Sequence, residues 1–374
     1  MLTNMQNDYC DKQLLNNHRG HRCLFAVYIT EKVMILSAFS FLLIFFSSSV
    51  FPLLGASETN SLIQHLEFVQ TANKSTYGLR DNKGMGMDCL KVFQPARYSG
   101  GKVMGVYHSR NGSVFSIHLA WSSNLIEWTH VAVLDKNASQ ATIWQCDNEA
   151  FLLAYEKDAP NSCWIRFRYY ETLSSLVSGN HEKEFDIERT LAPTAEGTPS
   201  LDSVVLERNR IDSSEIQIRF HYFKNARVDQ LAFGTLSNFK TWKSKSSDVV
   251  NLELIKRGWK GNLGDRDRFI WQEDVYYLQE VQRTRNDWSS WRICLCRGDG
   301  MPIRTLKIKT HKGSVAFANP NTTWITDPQD KRKLVITLFL PSEGNNPNER
   351  GTLLYLIDPA TTNAFPKAIG EPAP

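Results

Sequence analysis

The chain predicts an all-β fold, a five-bladed β-propeller, and three observations predict it. Beyond residue 80 short alternating segments dominate and almost nothing has helical periodicity. Phe115, Ile117, Leu119 and Trp121 share one face, for example, while Ser116 and His118 share the other. A turn string then repeats: Ser123-Asn124-Leu125-Ile126-Glu127-Trp128 returns as Ser237-Asn238-Phe239-Lys240-Thr241-Trp242, with a degraded copy, Ser174-Ser175-Leu176, between them. Each copy follows an alternating strand (Ile117–Trp121, Arg166–Tyr170, Gln230–Gly234), so one supersecondary unit is being reused. Finally, five polar strand starts near Asp88, Gln140, Glu196, Asp265 and Asn319 lead into apolar sequence. The first strand of a propeller blade lines the central channel, so these five positions are expected to converge on one funnel.

Composition agrees with this reading. Of 374 residues, 42% are hydrophobic and 22% charged, and the aromatic load of 10 Trp, 12 Tyr and 20 Phe suits pleated surfaces and sugar faces alike. A net charge of +4, with no basic stripe, gives nucleic-acid binding little support.

The first 56 residues differ in kind. Lys12, Arg19, Arg22 and Lys32 precede an apolar run from Val33 to Phe46, and the small residues Gly55, Ala56 and Ser57 follow. That order reads as an export signal behind a long polar N-terminus, with initiation at Met34, or as an uncleaved membrane anchor over residues 33–56. The expectation is a secreted or extracytoplasmic protein whose propeller domain spans 57–374, with 57–80 supplying an outer strand or clasp. Contact with a membrane is expected only through the apolar segment.

Of seven cysteines, Cys10 and Cys23 precede the apolar run, and Cys146 and Cys163 are placed to bridge neighbouring strands. Cys294 and Cys296 share one strand face without metal-ligand spacing, and the histidines show none either, so no metal or other cofactor is expected. Asn73, Asn111, Asn137 and Asn321 lie in N-x-S/T sequons.

The repeated S-N-Leu/Phe-x-x-Trp turn and Glu196-Gly197-Thr198-Pro199 resemble motifs of the five-bladed propeller superfamily of glycoside hydrolases. That superfamily includes family 43 arabinanases and xylosidases and, more remotely, invertases and levansucrases. The resemblance covers roughly residues 85–360 in blade rhythm. It implies an inverting hydrolase of plant-type or microbial polysaccharide, with Asp88 as general base and Glu196 as general acid. Such carboxyls stand roughly 6.5–9.5 Å apart to admit a water. The chain departs from the pattern twice. Cys89 follows Asp88 where the family has proline, and Ser139-Gln140-Ala141-Thr142 lacks the family's middle Asp. A non-catalytic carbohydrate-binding propeller is therefore the alternative, and a cell-surface interaction propeller a third.

Further candidates come from the remaining strand starts. In Gly261-Asn262-Leu263-Gly264-Asp265-Arg266-Asp267, Arg266 is a candidate for hydrogen-bonding a sugar while Asp265 and Asp267 hold it; a structural Asp–Arg pair is the competing reading. Gln140 and Asn319 would offer amides to the funnel. His221 reads first as a packed strand histidine and is kept as a candidate sugar contact. Trp144, Trp259, Trp271 and Trp324 lie near strand ends, where stacking on sugar rings competes with core packing.

Overall fold

The structure, a computed structural model, describes residues 54–96, 102–225 and 227–361. The apolar run from Val33 to Phe46 and the tail after residue 361 lie outside the described residues. No helix among the described residues is long and apolar enough to cross a membrane.

Helix α1 (Leu54–Glu67) and strand β1 (Lys74–Thr76) come first. The first blade comprises β2 (Asp88–Phe93), β3 (Val103–Asn111), β4 (Val114–Ser122) and β5 (Thr129–Lys136). The second comprises β6 (Ala138–Gln145), β7 (Phe151–Ala159), β8 (Ser162–Tyr170) and β9 (Lys183–Asp186). The third contains β10 (Glu196–Leu206), β11 (Ser214–Lys224), β12 (Val228–Ser237) and β13 (Thr241–Ser246). In the fourth are β14 (Leu263–Trp271), β15 (Asp274–Gln282), β16 (Trp291–Arg297) and β17 (Pro302–Thr305). The fifth takes β18 (Ala318–Thr326), β19 (Arg332–Leu340) and β20 (Gly351–Ile357), and borrows β1 as its outer strand. Lys74 pairs with Leu356 and Thr76 with Leu354, antiparallel, so the two ends of the domain share one sheet.

Inner strands touch in a closed ring: β2 meets β6, β6 meets β10, β10 meets β14, β14 meets β18, and β18 returns to β2. Each blade interface has its own apolar cluster. Phe93 and Val106 meet Leu153 and Tyr155 between blades one and two, and Phe167 meets Ile218 and Phe220 between two and three. Leu231 meets Leu263 and Tyr277 between three and four. Between four and five, Phe269 and Leu278 pack on Ile336 and Leu338, and Leu62, Ile63 and Leu66 of α1 join them. Val92 and Tyr107 close the circle against Val335 and Leu354.

The recurrent Trp turn joins third to fourth strands. In the first copy Asn124 Oδ1 accepts the N–H groups of Ile126 and Glu127, both at 2.9 Å, and Leu125 turns left-handed at φ 65°. The second copy uses Asn238 and Phe239 at φ 56° and 52°. Its tryptophan, Trp242, lies over Gly234, where a Cβ would stand 2.0 Å from the ring. In blade two the degraded copy is a short helix, α2 (Leu173–Ser178), started by a capping box between Thr172 and Ser175 and ended by Gly179 at φ 73°. A further helix, α3 (Asp248–Lys256), follows β13. Both are too short for periodicity to reveal.

Nearer the axis a polar latch ties three blades. Lys91 of β2 donates to Asp267 Oδ2 of β14 at 2.6 Å and to the Thr322 carbonyl of β18 at 2.8 Å. Asp267 Oδ2 also accepts Thr322 N–H at 2.7 Å and its hydroxyl at 3.0 Å. The Lys91 and Asp267 side chains are 12% and 5% exposed, so both ions depend on this pairing.

Three expectations are corrected here. Cys146 and Cys163 are both free and buried, as are Cys89, Cys294 and Cys296, so no bridge joins the strands. Asn321 is buried, with its amide toward Cys89 Sγ at 3.7 Å, so its sequon is closed to a glycan. Helices α2 and α3 lie beyond residue 80, where almost no helix was expected.

Lys91→Met strands a nearly buried carboxylate and is expected to lower stability by about 3–5 kcal/mol, whereas Lys91→Met with Asp267→Leu costs clearly less. Urea midpoints of the two variants compare them directly. Gly234→Ala is expected to destabilise by about 1–3 kcal/mol because Trp242 must move, and its melting temperature reads the loss.

Candidate functional site

The site is built from one repeated irregularity. Every inner strand shifts register near its start: between Asp88 and Lys91, Ser139 and Thr142, Gly197 and Ser200, Leu263 and Arg266, and Ala318 and Asn321. Cys89, Gln140, Thr198 and Asn319 adopt φ of 51°, 53°, 48° and 47° at these bulges. A non-glycine residue there costs on the order of 1–3 kcal/mol, and such strain gathers at functional positions. The bulge also frees a backbone N–H from the ladder, and a buried N–H needs an acceptor.

The preceding blade supplies that acceptor from the end of its second strand. His108 Nδ1 accepts Gln140 N–H at 3.1 Å, Glu156 Oε2 accepts Thr198 N–H at 3.1 Å, and Glu280 Oε2 accepts Asn319 N–H at 2.5 Å. Burial pushes His108 down to about 4, which keeps it neutral and Nδ1 free to accept. Glycines make room for the two glutamates. A Cβ on Gly197 would stand 1.8 Å from Glu156 Oε2, and one on Gly264 would stand 1.9 Å from Glu280 Oε1.

Glu156 is the centre of the titratable groups. Burial pushes its carboxyl up to about 7, Asp158 adds to the rise, and His221 opposes it. Asp158 itself is pushed up to about 6 by burial. His221 Nε2 lies 4.0 Å from Glu156 Oε2 and 3.9 Å from Asp229 Oδ1, while its Nδ1 is enclosed without a hydrogen-bond partner. The Glu156 and His221 side chains remain 17% and 14% exposed. A carboxyl that still holds its proton near neutrality, with a water-accessible edge, can donate that proton.

The sequence-derived candidates divide. Asp88 opens β2, and burial pushes it up to about 6 against the pull of Arg80 and the Thr352 hydroxyl. Glu196 opens β10 but is 0% exposed. Its Oε1 accepts the N–H groups of Thr190 (2.7 Å), Leu191 and Ala192 (3.0 Å), pinning the segment between β9 and β10, and its Oε2 is enclosed without a partner. Asp88 and Glu196 lie on non-adjacent blades and share no hydrogen-bond partner among the described residues. Gln140 and Asn319 do meet: Asn319 Nδ2 donates to Gln140 Oε1 at 2.6 Å. His221 stands beside Glu156.

The fourth-blade segment makes contacts to three other blades. Asp267 is held in the latch with Lys91, and Arg266 is buried and donates to the Phe220 carbonyl of blade three at 3.3 Å. Asp265 falls between Gly264 and Arg266, within the β14 bulge. The four tryptophans all join packing clusters, and Trp271 and Trp324 stack on each other with centroids 5.7 Å apart. Among the described residues no group of three or more His, Cys, Asp or Glu side chains could hold a metal ion.

Sequence reasoning passed over Glu156 as a functional residue. Its one signal was positional: His108, Glu156 and His221 oppose Asp88, Ser139 and Gly197, the same register position in three successive blades.

No family model and no curated protein matches the chain in sequence. Solved structures do match in fold. One described as a glycoside hydrolase superposes with a TM-score of 0.54 at 10% identity, covering 80% of this chain and 94% of that one. A second, described as a complex of BT0996 and RGII, gives 0.53 at 11% identity, with 83% and 97% covered. A thermostable family-43 glycoside hydrolase gives 0.49 at 11%, with 75% and 92% covered. At these identities the likeness is one of architecture: the five-bladed β-propeller of this chain shares its fold with the first two of these structures.

Proposed function

We propose that the protein is an exported glycoside hydrolase-type propeller that cleaves a polysaccharide or oligosaccharide at the mouth formed by the five inner-strand bulges. The observation that carries the proposal is Glu156, a carboxyl at that mouth pushed up to about 7 while part of its side chain stays open. In this reading Glu156 is the general acid. Glu196, which the family motif nominates, is fully buried with Oε1 committed to three backbone N–H groups, so it positions the loop ahead of β10. Asp88, at about 6, serves as base. Glu156 protonates the glycosidic oxygen as the bond to the anomeric carbon breaks. Water adds from the opposite face and gives its proton to Asp88. The glycoside hydrolase and RGII descriptions of the fold neighbours support a carbohydrate ligand. Export rests on the apolar run ahead of the propeller.

A second reading is a propeller that binds carbohydrate without cleaving it. It is favoured by the sealed Glu196 and by the lack of an acidic residue at Ser139-Gln140-Ala141-Thr142.

Assays on a panel of plant and microbial polysaccharides separate the two. Glu156→Gln is expected to lower kcat by about 10²–10⁴-fold. Glu196→Gln should leave kcat nearly unchanged but cost about 1–3 kcal/mol of stability. Full activity in Glu156→Gln rejects the assigned acid, and binding without turnover by the wild-type protein favours the second reading.

The pH profile gives an independent check. Activity requires Asp88 ionised and Glu156 protonated, so it should rise through about pH 6, peak narrowly, and fall through about pH 7. Gly197→Ala displaces the Glu156 carboxylate and should abolish the alkaline limb together with most of the activity.

A further inference from the structure

Blades two and five are not neighbours in the ring, yet their bulge residues touch. Asn319 Nδ2 donates to Gln140 Oε1 at 2.6 Å, which carries a side-chain hydrogen bond across the central axis. Both residues hold the left-handed backbone, at φ 47° and 53°, and both backbone N–H groups are fixed from behind, by Glu280 and His108. The bridge is thus held from behind at two points, and neither side chain is fully buried. Its amides are only half used. Gln140 Nε2 keeps its two N–H donors and Asn319 Oδ1 keeps its lone pairs, with no other partner among the described residues. Flipping both amides exchanges the roles but still leaves one NH2 donor beside one carbonyl acceptor.

We infer that this amide bridge is the floor of the funnel and recognises a vicinal diol of a neutral sugar. An adjacent donor and acceptor, rigidly spaced, complement two neighbouring hydroxyls, one accepting from the NH2 and the other donating to the carbonyl. The groups around the mouth set the charge preference. Asp229 and Glu280 are acidic, and Arg266, the cation the sequence offered for a sugar carboxylate, is buried and donates to the Phe220 carbonyl. Uronic acids are therefore disfavoured. The inference rests on the proposed carbohydrate reading but concerns binding, not cleavage.

Saturation-transfer NMR tests it with methyl β-D-xylopyranoside and methyl α-L-arabinofuranoside, their 2-deoxy and 3-deoxy counterparts, and D-galacturonate. The wild-type protein should bind at least one of the neutral glycosides, lose about tenfold or more for its deoxy counterparts, and show the weakest signal with galacturonate. Gln140→Glu keeps the acceptor for Asn319 Nδ2 but replaces the free donor. It should lower affinity for the neutral glycoside about tenfold while the melting temperature holds. Asn319→Ala, which shortens the other arm, should weaken the same ligand with Glu280 left in place. Equal affinity in both variants, equal affinity for the deoxy sugars, or no binding of either neutral glycoside overturns the inference. Turnover of polysaccharide, measured separately on wild-type and Glu156→Gln protein, judges the hydrolase reading regardless of that result.

Discussion

A single backbone demand organises the centre of this molecule: the N–H freed where each inner strand bulges. In a flat sheet that group would bond to the neighbouring strand. Here the ring of five inner strands turns it toward the adjacent blade, and the chain answers with His108, Glu156 and Glu280 at matching places. A polar side chain is thus required close to the axis for reasons of folding alone. At His108 and Glu156 burial also alters the proton affinity of that group. Structural necessity and chemical opportunity fall on the same residues.

Radially, the interfaces change character. Away from the axis the blades adhere through apolar clusters, which tolerate redistribution of volume more readily than of polarity. Near the axis they are held by directional bonds such as Lys91 to Asp267 and Asn319 to Gln140. Orientation of the five bulges therefore depends on few contacts, each of which has a defined geometry. The blade-three to blade-four interface adds a similar device farther out, with Arg219 bonded to Asp202 and lying 4.4 Å from the centroid of the Tyr277 ring.

Much of the architecture was legible because its signals are local. Period-two alternation, an Asx turn before a tryptophan and polar residues at strand starts are short-range patterns, and they mark strands, hairpins and bulges directly. The two helices α2 and α3 were not legible, since fewer than three turns give periodicity little to work on. The site was harder still. Glu196 carries the right motif, but a motif does not say which way a side chain faces across a bulge. Glu156 lies in another blade, brought to the β10 bulge by the missing Cβ of Gly197 and the Thr198 N–H. Arg266 and Asp267 are adjacent in sequence, yet Arg266 bonds to the Phe220 carbonyl of blade three and Asp267 to Lys91 of blade one, links that sequence order does not reveal.

Strand β1 has a consequence for how the chain is made. It leaves the ribosome before any of the five inner strands, yet its ladder partner, β20, is the last of the described strands to emerge. During synthesis the fifth sheet is therefore open at its edge, and the contact that closes the ring is among the longest-range in the chain. Vectorial folding can complete the first four blades in order, but the circle closes only once β20 has been made. A nick in the segment between β1 and β2 would leave β1 held by its ladder to β20 and by the packing of α1 against blades four and five.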